Sequence, residues 1–172
     1  MNDLQQRIFK QLRGARYFQE ISDAMLQKLL AFAEFRCFEE GAIILRQGER
    51  NQVVYCLLKG SVVVEMDDQT LCILQRNGDL FGEMSVLSDA PCNATVRAFE
   101  DVEAATLSVE VLKKIRENSS HELHAIFYQW LTRILMDKLT MTSEKAKHFE
   151  EANQRLKQVN QALDEAYHGL DS

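Results

Sequence analysis

Apolar residues near the N-terminus follow a helical period. Leu4, Ile8 and Leu12 recur at i, i+4 and i+8, the spacing of one helix face. Ser22 is placed to cap a second helix. Ile21 and Leu26 stand at staple positions on either side of it, and Met25, Leu26, Leu29, Leu30 and Phe32 supply the apolar face. Between 35 and 108 the pattern becomes that of short strands. FRCF, AIILR, VVYCLL, SVVVEM, LCILQ, ATVRA and EAATLS are rich in β-branched and aromatic residues, and Gly41, Gly48, Lys59-Gly60, Asp67-Asp68 and Asn77-Gly78 separate many of them. Turns at intervals of roughly 8–12 residues predict an antiparallel sandwich or barrel. The stretch FGEMSVLSDAP lacks alternation and predicts a helical turn.

From Val109 the period is helical again. Ser119 and Glu122 have capping-box spacing, and Leu123, Ile126, Phe127, Trp130, Leu131, Ile134 and Leu135 line one face. Phe149, Ala152, Leu156, Val159, Leu163, Ala166 and Leu170 continue at 3-4 spacing, a heptad seam. A continuous helix from Ser120 to His168 would extend about 73 Å, with a weak stretch at Thr140–Ser143. An unshielded seam of that length predicts a homodimer through the C-terminal helix. The expected fold class is mainly β: an antiparallel β-roll or jelly roll with N-terminal helices and a long C-terminal helix. The expected divisions are 1–34 for the helical head, 35–118 for the roll, and 119–172 for the long helix with its coiled-coil tail.

Composition narrows the function. The chain has 172 residues and a formal net charge of −6, the wrong sign for a protein built to grip nucleic acid. The tail has no helix-turn-helix pattern, so no direct DNA binding is expected. No apolar run approaches the ~20 residues of a membrane span, and no signal peptide is legible; no membrane contact and a cytoplasmic location are expected. Cys37, Cys56, Cys72 and Cys92 are widely spaced without a CxxC and read as reduced thiols. The four histidines (121, 124, 148, 168) all follow the strand region, which argues against a jelly-roll metal centre. No catalytic constellation or nucleotide-triphosphate loop appears, so neither an enzyme nor a cofactor is expected. Arg7, Lys10, Arg13 and Arg16 make the head mildly basic and read as a solvated helix face.

GAIILRQG, YCLLKGSVVVE, NGDLFGEMSVL and PCNATVRA together resemble the cyclic-nucleotide-binding domain family, over about residues 20–135. They resemble its glycine-framed strand, its Tyr-x-Leu-x-x-Gly-x-Val hairpin, and the opening and exit of its phosphate-binding cassette. The resemblance implies a stand-alone sensor for a small-molecule cyclic nucleotide of the cAMP or cGMP type, signalling through its C-terminal helix. The implied ligand-binding residues are Gly82, Glu83, Met84, Ser85, Cys92, Asn93, Ala94 and Thr95, and none is catalytic or a metal ligand. Gly82, without a Cβ, would let the ligand come close to the backbone. Amides of Glu83, Met84 and Ser85 would face the anion. The acceptor-only Glu83 carboxylate would suit a ribose hydroxyl.

One position departs from the family. Members that bind nucleotide generally read Pro-Arg-Ala-Ala-Thr, with Arg neutralising the phosphate; this chain reads Pro91-Cys92-Asn93-Ala94-Thr95. A hydrogen bond to a charged group contributes about 1.5–3 kcal/mol, so its loss predicts roughly ten- to hundredfold weaker binding. Strand alternation puts Cys92, Ala94, Val96 and Ala98 on one face and Arg97 on the other. Arg97 is therefore expected to point away, leaving Arg46, Arg76 or Arg133 as other cations and Asn93 as an uncharged donor. The alternative function is a dimeric interaction scaffold whose degenerate pocket no longer binds nucleotide. Trp130, Phe127 and Leu131 are candidates for a lid over the base.

Overall fold

The computed structural model describes residues 2–19, 21–111, 113, 132, 134–140, 143 and 154–155. The chain divides into two compact units, Met1–Trp130 and Leu131–Ser172. In the second, 134–140 is helical. The capping box at Ser119, the lid candidates, the four histidines, Arg133 and the heptad seam lie outside the described residues.

The head forms two helices, α1 (Asp3–Arg13) and α2 (Asp23–Phe32), joined through a single 3₁₀ turn at Arg16–Phe18. Asn2 and Gln5 close a reciprocal capping box on α1. Ser22 caps α2 by accepting from the Met25 amide at 3.2 Å, as its sequence position predicts. Ile8, Leu12, Met25, Leu26, Leu29 and Leu30 are buried, whereas Leu4 and Phe32, placed by period on the same faces, are exposed. Leu4 is the second residue of α1 and Phe32 the last of α2, so both stand at the ends of their faces. Arg13 ties the two helices together: its guanidinium donates to the carbonyls of Phe18 (2.7 Å) and Ile21 (2.5 Å) and meets the Asp23 carboxylate at 2.9 Å.

Eight strands follow among the described residues: β1 (Glu34–Phe38), β2 (Ile43–Leu45), β3 (Val53–Lys59), β4 (Val62–Met66), β5 (Gln69–Leu74), β6 (Leu80–Phe81), β7 (Thr95–Ala98) and β8 (Val102–Ser108), with α3 (Glu83–Ser88) between β6 and β7. They form two four-stranded antiparallel sheets, in the orders β1-β8-β3-β6 and β2-β7-β4-β5. The fold is thus the mainly β roll with flanking helices that the patterning predicts. Strand β6 is too short to alternate, and the sequence pattern does not reveal it; it is held by pairing of Phe81 with Tyr55 and Leu80 with Cys56.

Between the sheets lies a cluster of Leu45, Tyr55, Leu57, Val62, Phe81, Cys92, Val96, Ala98, Val102 and Ala104. Tyr55 and Phe81 stack at 4.9 Å between centroids, within the range of favourable aromatic pairs. Burial lifts the Tyr55 phenol above its ordinary pKa, against the pull of the Arg36 cation and with a small push from Cys92. Burial also drives the Cys56 thiol far above its ordinary range, so this cysteine is a packing residue without thiolate chemistry.

Candidate functional site

The chain leaves β6 through Gly82, whose φ of +79° opens α3 in the left-handed region, where residues with a Cβ are strained. The side on which a Cβ would stand is already filled. An added Cβ would meet the Val53 carbonyl oxygen at 2.8 Å, Asn51 Nδ2 at 3.0 Å and Leu45 Cδ1 at 3.2 Å. On that side the missing side chain makes room for the backbone of β3. The glycine requirement is therefore one of folding, and it fixes where α3 starts.

Asn51 carries out that fixing, and sequence reasoning passes over it. Its amide nitrogen donates to the carbonyls of Val53 (2.7 Å) and Gly82 (3.0 Å) and to Ser85 Oγ (3.1 Å), and its Oδ1 accepts from the Val53 amide (3.0 Å). Ser85 Oγ donates back to the Gly82 carbonyl at 3.0 Å. These bonds span 31 and 34 residues of chain, so no local pattern around Asn51 signals them. Asn51→Ala is expected to cost about 1–3 kcal/mol in urea unfolding, because partly buried acceptors at Val53, Gly82 and Ser85 lose their donor. A loss below about 0.5 kcal/mol would show that the latch contributes nothing.

Within the cassette, the expected residues are placed unequally. Glu83 is 1% exposed and Ser85 is buried, whereas Met84 is 56% exposed. A solvated first-turn acid does not describe Glu83, since its carboxylate lies inside the protein. No side chain caps the start of α3, which leaves its first-turn amides to other acceptors. Across the exit, Cys92 is buried, Asn93 is exposed, and Ala94 and Thr95 are half-buried. Thr95 Oγ1 accepts from the Gln47 amide at 3.1 Å. The Cys92 backbone is fastened on both sides, its amide donating to the Glu49 carbonyl and its carbonyl accepting from the Gly48 amide, each at 2.8 Å. Its sulfur stands 3.8 Å from Ser85 Oγ. These contacts join Gly82, Ser85 and Cys92, Glu83 is buried next to Gly82 in the chain, and Met84 and Asn93 are exposed.

The cations obey the alternation argument. Arg97 faces away from Val96 and Ala98, meeting Glu65 at 3.5 Å and the Gly41 carbonyl at 3.3 Å. Arg46 is exposed and paired with Glu49 at 3.5 Å, and Arg76 is exposed. Arg50, absent from the sequence-derived set, reaches the far end of α3 and contacts Asp89 at 3.4 Å. Among the described residues, no group of three or more His, Cys, Asp or Glu is arranged to hold a metal ion, and no helix is long and apolar enough to cross a membrane.

A two-sheet β-roll interrupted by a short helix, with a buried acid just inside a left-handed glycine, defines a roll-and-cassette domain. Residues 35–119 match the family model of the cyclic nucleotide-binding domain. Through these residues the chain belongs to that family. A cGMP-dependent protein kinase of Eimeria tenella is 28% identical over 112 residues, covering 65% of this chain and 11% of that protein. A cAMP-dependent protein kinase regulatory subunit of Debaryomyces hansenii is 30% identical over 96 residues, covering 56% of this chain and 21% of that protein. The chain thus spans only a small part of the length of these relatives. A solved cyclic nucleotide-binding domain from Methylobacillus flagellatus shares the fold, with a TM-score of 0.72 at 20% identity over 83% of this chain and 82% of that one.

Proposed function

We propose that this chain is a regulatory module that binds a cyclic nucleotide of the cAMP or cGMP type in the cassette between β6 and β7. The observation that carries the proposal is the burial of Glu83, 1% exposed, behind a left-handed Gly82, within a domain of this family. A carboxylate accepts hydrogen bonds and cannot donate them. Beside a cyclic nucleotide such an acceptor suits a sugar hydroxyl rather than the phosphate. Glu83 would take the ribose hydroxyl, and the start of α3 with Ser85 would face the cyclic phosphate. Met84 and Asn93, both exposed, would bear on the ligand only at its rim.

The proposed output runs through the residues that follow the roll. Their heptad spacing supports a homodimer through the C-terminal helix, whose pairing a ligand would shift by binding one arrangement better than the other. The role is regulatory rather than catalytic, without a resident cofactor, direct DNA contact or membrane contact. The four cysteines are free, which supports a reducing, cytoplasmic compartment.

A specific observation favours the second reading, a scaffold that binds no nucleotide. Cys92 stands where binding relatives generally carry arginine, and its side chain belongs to the buried cluster between the sheets. Equilibrium dialysis with labelled cAMP and cGMP, on the wild type and on Glu83→Gln, separates the two. The proposal expects saturable binding that weakens roughly ten- to hundredfold in the variant, the effect of losing a hydrogen bond to a charged group. Equal binding by both proteins would remove Glu83 from the site.

A further inference from the structure

The polar side chains at the start of α3 have already committed their protons. Ser85 Oγ carries one, and donates it to the Gly82 carbonyl at 3.0 Å. The same oxygen accepts from Asn51 Nδ2 at 3.1 Å and from the Cys92 thiol, a weak donor, at 3.8 Å. A hydroxyl has one donor and two acceptor positions, so the neighbours of Ser85 fill it. Glu83, buried beside Gly82, carries a carboxylate, which only accepts. None of these side chains holds out a proton to an incoming anion.

The arrangement of charge agrees. Among the described residues, four arginines of the roll meet acids elsewhere: Arg36 meets Glu34 at 3.0 Å, Arg46 meets Glu49 at 3.5 Å, Arg50 meets Asp89 at 3.4 Å past the end of α3, and Arg97 meets Glu65 at 3.5 Å. Arg76 is exposed, in a turn whose amides at 75 and 76 donate to Asp79. Helix α3 has six residues, so few peptide dipoles add up at its start. A cyclic phosphate brought to this place gives up water without a counter-charge, and it does so close to the carboxylate of Glu83, which repels it.

We propose that the cassette takes the uncharged nucleoside, at least as tightly as the cyclic nucleotide with the same base. This rests on the cassette being the ligand site of the preceding section, and it changes which ligand that site favours. The nucleoside keeps the sugar hydroxyl that a buried carboxylate can accept from. In place of the phosphate it has free 3′ and 5′ hydroxyls, each both donor and acceptor. Their oxygens can accept from the first-turn amides of α3, which no side chain caps, and neither adds a negative charge. The thiol at 92 then needs no cationic replacement, and the Ser85 bonds to Gly82 and Asn51 stay intact.

Titration calorimetry of the full wild-type chain with adenosine, guanosine, cAMP and cGMP tests this. The nucleoside whose base the site accepts should bind at one site per chain, no more weakly than its cyclic nucleotide. Its 2′-deoxy form should bind roughly ten- to hundredfold more weakly, having lost a hydrogen bond to a carboxylate. Cys92→Arg, with its fold checked by circular dichroism, should reverse the order: the cyclic nucleotide gains roughly ten- to hundredfold and the nucleoside gains nothing. The deoxynucleoside comparison uses the wild type alone, so it holds whether or not the variant folds. A wild type that prefers the cyclic nucleotide would overturn the inference and leave the proposed function standing. A deoxynucleoside that binds as well as the ribonucleoside, or a folded variant that keeps the wild-type order, would also overturn it. Silence of the wild type toward all four ligands would overturn both.

Discussion

Gly82→Ala is expected to destabilise the protein by about 2–4 kcal/mol, whereas Gly41→Ala should cost only about 1–2 kcal/mol. The two glycines share a backbone conformation, with φ of +79° and +81°, so the left-handed strain of an alanine is the same in both. They differ in what surrounds them. An added Cβ at Gly41 meets nothing within 4 Å; at Gly82 it meets the Val53 carbonyl oxygen at 2.8 Å. The Val53 carbonyl, at the first residue of β3, is already held by Asn51 Nδ2 at 2.7 Å, so it cannot retreat without disturbing that bond, and the same move pulls on the Asn51 bonds to Gly82 and Ser85. The extra cost at Gly82 thus measures how tightly the cassette is pressed against β3. Guanidinium unfolding of both variants reads it. Equal losses would mean that α3 can shift freely and that its position is not dictated by β3.

The same variant bears on binding. If α3 is displaced, Glu83 moves with it, and nucleotide affinity should fall together with stability. Affinity kept at the wild-type level despite the lost stability would detach the ligand from the start of α3.

Cys92→Arg is expected to act in opposite directions on the free and liganded protein. Without ligand, a guanidinium would replace a small thiol beside Ser85, in a cluster that includes Leu45, Tyr55 and Phe81. An unpaired buried charge costs about 3–5 kcal/mol, reduced to the extent that the long side chain reaches solvent. For a chain of this length each kcal/mol lowers Tm by about 2–4 °C, so a drop of several degrees is expected. With cyclic nucleotide present, the phosphate supplies the missing counter-charge. Affinity should rise roughly ten- to hundredfold, and saturating ligand should recover much of the lost Tm. Differential scanning fluorimetry with and without cAMP reads both effects. A destabilised variant that ligand does not rescue would show that residue 92 does not face a phosphate.

Much of this site is legible in the sequence because it is made of short, local instructions. NGDLFGEMSVL signals a turn, a glycine and a helix start in consecutive residues, and the structure has all three. The orientation of Arg97 follows from alternation along β7 alone, and its bond to Glu65 across the β4–β7 pair agrees. What is missed depends on residues far apart in the chain. Strand β6 has two residues and exists only because Tyr55 and Cys56 pair with it. Asn51 has no signature of its own, and its importance comes from acceptors more than 30 residues away. Gly82 illustrates both cases: its left-handed turn is readable, but the neighbour that forbids a side chain is the β3 backbone. The strand order of each sheet is likewise set by pairings such as β1 with β8, which join the two ends of the roll and leave no mark in either segment.

Titration calorimetry of the full wild-type chain with cAMP and with cGMP tests the central claim most directly. A cradle that keeps its buried acid but carries cysteine at 92 should bind one of them saturably, at one site per chain, and more weakly than Cys92→Arg does. No heat of binding from either protein with either nucleotide would contradict the assignment of the cassette as a nucleotide site.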